Sequence, residues 1–296
     1  MARAEVIDPP NKARNPGAVA PAHPATFATT ANMTNLYGLP DDIQVTADGG
    51  LRIVTLNRPD DLNASTTEML FSYPKLFAAL ADDPEARVAI LTGAGRAFSA
   101  GGDMNHFVKT LDDPEFARRV QENARQTIHG FIDVPIPIIA AVNGPAVGWG
   151  ATMATLCDIV LMSEKSFLAE PHINIGLVVG DGISVAWPLY TSLLRAKELI
   201  FTGDRITAQQ AVEYGLANRV VEPGKLMDEA LALAEKLLKQ PRHALRETKK
   251  LMNLHLHRSA AQMLDTTLAR QLAATLSNEH HEIASAFIAQ QKRKQD

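Results

Sequence analysis

The chain has 296 residues, 46% hydrophobic and 21% charged, the proportions of an ordinary globular protein with a sizeable core. Its formal net charge of −4 supplies no basic field for nucleic acid or an anionic membrane, and no stretch reaches the ~18 apolar residues of a membrane span. The single cysteine, Cys157, excludes an internal disulfide framework and fits a reducing, cytoplasmic setting.

Residues 1–40 differ from the rest. Ala, Pro, Asn and Thr dominate from Pro9 to Pro40 without periodicity, which predicts a flexible extension unable to bury enough surface to offset its ordering entropy. The segment lacks the apolar stretch of a secretory signal, and Glu5, Asp8 and the prolines argue against a transit peptide. A core over 41–223 then opens with a hairpin, residues 43–46 and 51–56 flanking Asp48, Gly49 and Gly50. A helix follows over 65–81, and 88–92, 136–142 and 158–162 read as strands buried on both faces. Strands alternating with helices predict an α/β fold. From about Gly224 the pattern is helical only: Leu226, Ala230, Leu233 and Leu237 recur until Pro241. Ser259 with Gln262 forms a capping-box pattern opening a helix with Ala261, Leu264, Leu268 and Leu272 on one face. A last helix carries Ile283, Ala286 and Phe287, and the apolar faces of residues 224–296 predict packing on the core or on another subunit.

Two glycine turns are the most informative segments. The first runs from the strand at Leu91 through Gly93 and Gly95 to Ser99, Ala100, Gly101, Gly102 and Asp103. Phe98 stands where a dinucleotide fingerprint needs its third glycine, and the Gly-Lys-Ser/Thr of a phosphate loop is missing. Paired glycines after a strand let the backbone approach a ligand with its N–H groups exposed, although a tight turn alone also explains them. The second turn, Gly148, Trp149 and Gly150, leads into a helix through Met153, whose first N–H groups lie at the positive end of the dipole. Two such turns can aim two donors at one point, as in an oxyanion hole.

These segments, together with Leu56–Pro59, Leu62–Ala64, Ala141–Gly144, Cys157–Ile159 and Ile283–Phe287, resemble the enoyl-CoA hydratase/isomerase (crotonase) family over residues 43–296. The resemblance implies a spiral of ββα units with a C-terminal helical assembly region, and trimers or hexamers. It also implies acyl-CoA substrates, with coenzyme A part of the substrate and no metal or other cofactor. The oxyanion donors would be the backbone N–H groups of Gly102 and Trp149, the Trp149 side chain narrowing the acyl pocket. Arg58, Phe98, Ala100, Gly148 and Phe287 would bind substrate, Arg58 near the CoA phosphates.

Family hydratases use two glutamates, which fall here at Thr152 and His172. A Thr hydroxyl can only donate or accept a hydrogen bond near neutral pH, whereas His172 titrates in the useful range. Asp181, nine residues on (181 − 172 = 9), would fix the ring's tautomer and leave the other nitrogen to activate water, unless it is only the turn residue of Asp-Gly. Activity is then expected to rise with pH through one ionisation at or above the ~6.5 of free imidazole. Glu170 is expected to face away from the acid/base pair. His255, His257, His280, His281 and Glu282 fall on or beside helices without a third metal ligand at fixed spacing and read as solvated faces, and Lys292–Lys294 form a basic tail.

The leading function is an acyl-CoA hydratase or related lyase. The His/Asp spacing also resembles relatives that hydrolyse carbon–carbon bonds of cyclic β-diketones without CoA, although those lack the Ser99–Asp103 type of turn. A third reading is a catalytically reduced acyl-CoA-binding protein. Some relatives bind RNA, which the negative charge disfavours.

Overall fold

A computed structural model describes residues 35–295, with side chains described through residue 289. The expected extension at 1–40 lies outside the described residues as far as residue 34. In chain order, the hairpin β1 (Ile43–Asp48) and β2 (Leu51–Leu56) leads to α1 (Thr67–Asp82), β3 (Val88–Gly93), α2 (Met104–Asp112) and α3 (Pro114–Asp133). Then come β4 (Ile138–Val142), β5 (Ala146–Val147), α4 (Trp149–Leu156), β6 (Ile159–Ser163) and β7 (Phe167–Ala169). A 3₁₀ turn, His172–Ile175, precedes α5 (Ile183–Tyr190), α6 (Leu193–Thr202), β8 (Arg205–Thr207), α7 (Ala208–Glu213) and β9 (Arg219–Val221). The chain ends in α8 (Leu226–Leu238), α9 (Arg242–Thr275) and α10 (Asn278–Gln295).

The main sheet has the order β1-β2-β3-β4-β6-β9, antiparallel at the hairpin and parallel from β2 onward; β5, β7 and β8 form a second, small sheet. Successive units of a main-sheet strand, a small-sheet strand and a helical turn (β4-β5-α4, then β6-β7 and the 3₁₀ turn) give the spiral of ββα units that the resemblance implies. Every residue of β3 and β4 is buried, as their unbroken apolar runs predict. The pleat sends alternate residues to two cores. Ala89, Leu91, Ala140 and Val142 face a large cluster containing Tyr73, Phe77, Phe131, Trp187 and Leu264. Val88, Ile90, Ile139 and Ala141 face a smaller one closed by Leu226, Ala230 and Ala234 of α8.

Local signals set the helix starts. Asp113 caps α3, its carboxylate accepting from the Glu115 and Phe116 N–H groups, with Pro114 in the first turn. The capping-box reading at Ser259 is corrected: α9 runs unbroken for 34 residues through that position. Its buried stripe (Lys249, Asn253, Leu256, Ala260, Leu264, Leu268) keeps helical spacing along α3 and α5, and the Ser259 hydroxyl donates to the Val185 carbonyl rather than capping. Lys249 anchors the stripe, its Nζ 2.7 Å from Asp158 Oδ2 and 2.8 Å from the Ile136 carbonyl. No helix among the described residues is long and apolar enough to cross a membrane.

Candidate active site

The first glycine turn follows β3 and the second follows β4 and the short β5; β3 and β4 are neighbours in the main sheet, and the two segments are tied together by backbone. Phe98 N–H and Ser99 N–H both donate to the Pro145 carbonyl at 3.1 Å, and Val147 N–H donates to the Ser99 carbonyl at 2.9 Å. Two asparagine side chains hold the loop from within. Asn63 donates to the Ala94 and Ala97 carbonyls, and Asn143 to those of Gly95 and Ala97. Gly101 sits at φ +94, and a Cβ there would stand 2.9 Å from the Val147 carbonyl oxygen and 3.9 Å from the Trp149 nitrogen. Only glycine allows this approach, which places Gly102 and Trp149 on adjoining backbones.

The donors are left free by this arrangement. Ser65 N–H donates to the Gly101 carbonyl and Asp103 N–H to the Ser65 carbonyl, fixing the backbone on both sides of Gly102. Gly102 itself is exposed with open space around its α-carbon. Trp149 is the first residue of α4, entered from Gly148 at φ +52, so its N–H has no intrahelical acceptor and lies at the positive helix end. Among the described residues neither N–H has an acceptor. Two free, fixed donors on adjoining loops suit an oxygen that gains negative charge.

Thr152, one turn into α4, is fully buried. Its methyl lies 3.1 Å from where a Cβ on Gly182 (φ +113) would stand, bringing α4 against the segment that carries Asp181. That segment is held on α9: Thr267 donates to the Gly180 carbonyl, and a Cβ at Gly180 would meet the Thr267 carbonyl at 2.7 Å. His172 opens the 3₁₀ turn, and its Cε1 lies 3.7 Å from where a Cβ on Gly148 would be, so the ring adjoins the second donor turn. Its Nε2 is 3.9 Å from Asp181 Oδ2. The structure thus brings His172, Asp181, Thr152, Gly148 and the two donor turns together.

The position of Glu170 is corrected. Glu170 does not face away but hydrogen-bonds His172 Nδ1 directly, because β7 ends at Ala169 and the chain turns at Pro171, putting residues 170 and 172 on one pocket. Glu170 is 1% exposed and Asp181 6%, and Glu170 Oε2 and Asp181 Oδ1 have no hydrogen-bond partner among the described residues. Burial disfavours the imidazolium, but the Glu170 and Asp181 charges and the Glu170 hydrogen bond outweigh it and push the His172 pKa up to about 9. Burial, reinforced by the Glu170 charge, pushes Asp181 up to about 6, against the pull of His172 and the Thr152 hydroxyl. The ligand atoms of Glu170, His172 and Asp181 lie within 4.8 Å of one another, a spacing that suits a cation as well as a proton relay. The direct Nδ1 contact with Glu170 favours the relay.

The other expected residues fall into two groups. Ala100 lies on the first donor turn, half buried. Phe98 is wholly inside the core, and the Trp149 ring, 8% exposed, lies 6.0 Å from that of Tyr73. Arg58 is surrounded by Asp61 Oδ2 at 2.6 Å, Asp103 Oδ2 at 3.2 Å, Asp42 Oδ2 at 3.8 Å and the Ala64 carbonyl at 2.5 Å. A phosphate would have to compete there with three carboxylates. Phe287 is half buried on α10, one turn beyond Ile283, whose Cδ1 lies 3.2 Å from where a Cβ on Gly176 would be. The reading of His280 as part of a solvated face is corrected: it is fully buried on the same helix, donating from Nδ1 to the Ile175 carbonyl at 2.6 Å and meeting Phe107 of α2 edge to face. Helices α2 and α10 therefore meet beside the turn that carries His172. His257 lies 3.3 Å from Asp133.

The sequence profile of the enoyl-CoA hydratase/isomerase family matches residues 46–295. A putative enoyl-CoA hydratase of Thermus thermophilus is 37% identical over 210 residues, 69% of this chain and 81% of that protein. The crystal structure of an enoyl-CoA hydratase/isomerase from Mycobacterium paratuberculosis superposes with a TM-score of 0.82 at 43% identity, covering 84% of this chain and 100% of the other. A β-diketone hydrolase from the cyanobacterium Anabaena, solved with (S)-3-oxocyclohexyl acetic acid, superposes with a TM-score of 0.75 at 29% identity, over 79% of this chain and 94% of that one.

Proposed function

Because the chain belongs to the enoyl-CoA hydratase/isomerase family, we propose that it is an enoyl-CoA hydratase-type lyase. In this reading the thioester oxygen rests on the Gly102 and Trp149 N–H groups, and protons move through His172 and Asp181. The observation that carries the reading is the juxtaposition of two acceptor-free N–H groups with a half-buried histidine set between two buried carboxylates. Addition of water to an α,β-unsaturated thioester develops negative charge on the carbonyl oxygen as an enolate forms. Fixed donors that meet that charge lower the barrier without reorganising. Water must lose a proton as it attacks the β-carbon, and the α-carbon must gain one. Thr152 can only hydrogen-bond, so the titratable pair is His172 with Asp181.

The same pair supports a second reading, hydrolysis of a carbon–carbon bond in a β-diketone, and the Anabaena hydrolase is a structural neighbour. The Gly101–Gly102 turn with its free donor favours the thioester. A purely binding role is disfavoured by a titratable pair, half-buried His172 and buried Asp181, beside the donors. We further propose that copies of this chain assemble as a trimer or hexamer. Leu194, Phe201, Leu251 and Met252 on α6 and α9 are more than half exposed, a surface suited to a partner. Coenzyme A would enter as part of the substrate, with Ala100 and Phe287 as expected contacts and Arg58 able to reach a phosphate only in competition with Asp42, Asp61 and Asp103.

A mass-spectrometric screen of enoyl-CoAs and cyclic β-diketones in H₂¹⁸O tests the reading. Gain of one water, with label on the β-carbon of an acyl-CoA, is expected. Ring opening of a β-diketone with label in the new carboxylate, and no change in any enoyl-CoA, would replace it with the second reading.

A further inference from the structure

His172 has a carboxylate on each side: Glu170 at Nδ1 by direct hydrogen bond and Asp181 Oδ2 3.9 Å from Nε2. A carboxylate offers only acceptors, so a ring facing one at each nitrogen is matched only when both nitrogens carry protons. Glu170 makes a second contact, its Oε1 accepting from the His172 N–H at 3.2 Å, so it fixes backbone and ring at once. We infer that Glu170 is a positioning residue that holds His172 as an imidazolium, so that in the proposed reaction His172 gives the proton and Asp181 takes it. This rests on the hydratase reading for its chemistry but not for the charge on the ring.

The groups facing His172 are few. Glu170 and Asp181 are the carboxylates, and His280 of α10 adjoins the turn through the Ile175 carbonyl. Helix α6 also packs on the turn, but its Arg195 pairs with Glu198 at 2.6 Å. Burial works against the imidazolium, but the two carboxylates outweigh it and push the His172 pKa up to about 9, while burial above all pushes Asp181 up to about 6. At neutral pH the ring is then charged and the Asp181 carboxylate is open, with Oδ1 lacking a partner.

The proton balance closes. Water adds its oxygen to the β-carbon and loses a proton to the Asp181 carboxylate, while the electron pair of the double bond moves through the enolate. The α-carbon takes the Nε2 proton of His172. That leaves Asp181 protonated and His172 neutral; Oδ2 and Nε2 stand 3.9 Å apart, too far for direct transfer, so one proton passed through a solvent water between them restores both. Nδ1 stays bonded to Glu170 throughout, which confines the mobile proton to Nε2.

The test is ¹⁵N NMR of the full chain labelled at histidine, with His172 identified by its loss in His172→Asn. In the wild type both ring nitrogens should be protonated at pH 7. Glu170→Gln keeps an acceptor for Nδ1 but removes the charge, and should lower the titration midpoint by about one pH unit or more, a tenfold change in proton affinity. Glu170→Asp should recover most of the shift. On whichever substrate turns over, Glu170→Gln should move the alkaline limb of the kcat profile to lower pH with little change in KM. A neutral His172 at pH 7 in the wild type, or a Glu170→Gln midpoint equal to that of wild type, overturns the inference. If Glu170→Gln does not fold, the wild-type titration and Glu170→Asp decide it. Failure of every enoyl-CoA to react would remove the hydratase reading and leave the NMR result standing.

Discussion

Replacing Gly101 by alanine should perturb the proposed oxyanion hole without deleting either donor. At φ +94 an L residue is strained, at a cost on the order of 1–3 kcal/mol. The new Cβ would stand 2.9 Å from the Val147 carbonyl oxygen, a backbone atom that cannot swing aside as a side chain can. On the other side, Ser65 holds the Gly101 carbonyl at 2.7 Å and the Asp103 N–H at 2.9 Å. The displacement therefore falls on the gap between the two turns, which is the spacing of the Gly102 and Trp149 N–H groups. Misplacing one donor forfeits up to about 3–4 kcal/mol of transition-state stabilisation, or 10²–10³ in kcat. Steady-state kinetics and a thermal melt on the same preparation separate the two effects. The expected result is a Tm lowered by several degrees with kcat down by that factor. A Gly101→Ala enzyme with wild-type kcat would refute the reasoning, because the approach of the two turns would then be irrelevant to rate.

In place of the single rise expected from the sequence with His172 as base, the proposed roles make the pH profile bell-shaped, with activity requiring ionised Asp181 above about pH 6 and charged His172 below about pH 9. The His172 pKa is raised above its unfolded value of ~6.5, so its contribution to stability is complete below that pH and lost as pH rises through about 9; a Tm flat across this range would contradict the assignment. His172→Ala should cost on the order of 10²–10⁴ in kcat, and Thr152→Ala only about 1 kcal/mol, read by steady-state kinetics. Trp149→Gly should keep its backbone donor but change acyl-chain preference, because the ring packed on Tyr73 is lost; equal loss across all acyl chains would count against this. Deleting 258–296 severs α9 within its buried stripe, removing Ala260, Leu264 and Leu268, and should give insoluble or inactive protein; a stable, active monomer by light scattering would sink the packing argument.

Much of the site can be read from the sequence because it is made of backbone. Paired glycines after buried strands announce Gly101, Gly102 and Gly148; apolar runs alternating with helices give the α/β class, and the spiral comes only from the family resemblance. The Glu170 contact is hidden because it depends on how the chain turns at Pro171, which neither periodicity nor spacing encodes. The apparent cap at Ser259 misleads for a related reason. A Ser with Gln three residues on caps a free helix end, yet here the stripe continues and the hydroxyl finds the Val185 carbonyl. His280 misleads too: beside His281 and Glu282 it reads as a solvated face, but its burial is set by the docking of α10 beside the 3₁₀ turn.

Infrared spectroscopy of bound enoyl-CoA with ¹³C at the thioester carbonyl reads the central interaction at the bond it acts on. Donation from Gly102 and Trp149 should lower the carbonyl stretch below its value in water, and Gly102→Pro, which removes one donor, should restore part of the shift. A carbonyl stretch in the wild-type complex identical to that in water would contradict the assignment of these two N–H groups to the thioester oxygen.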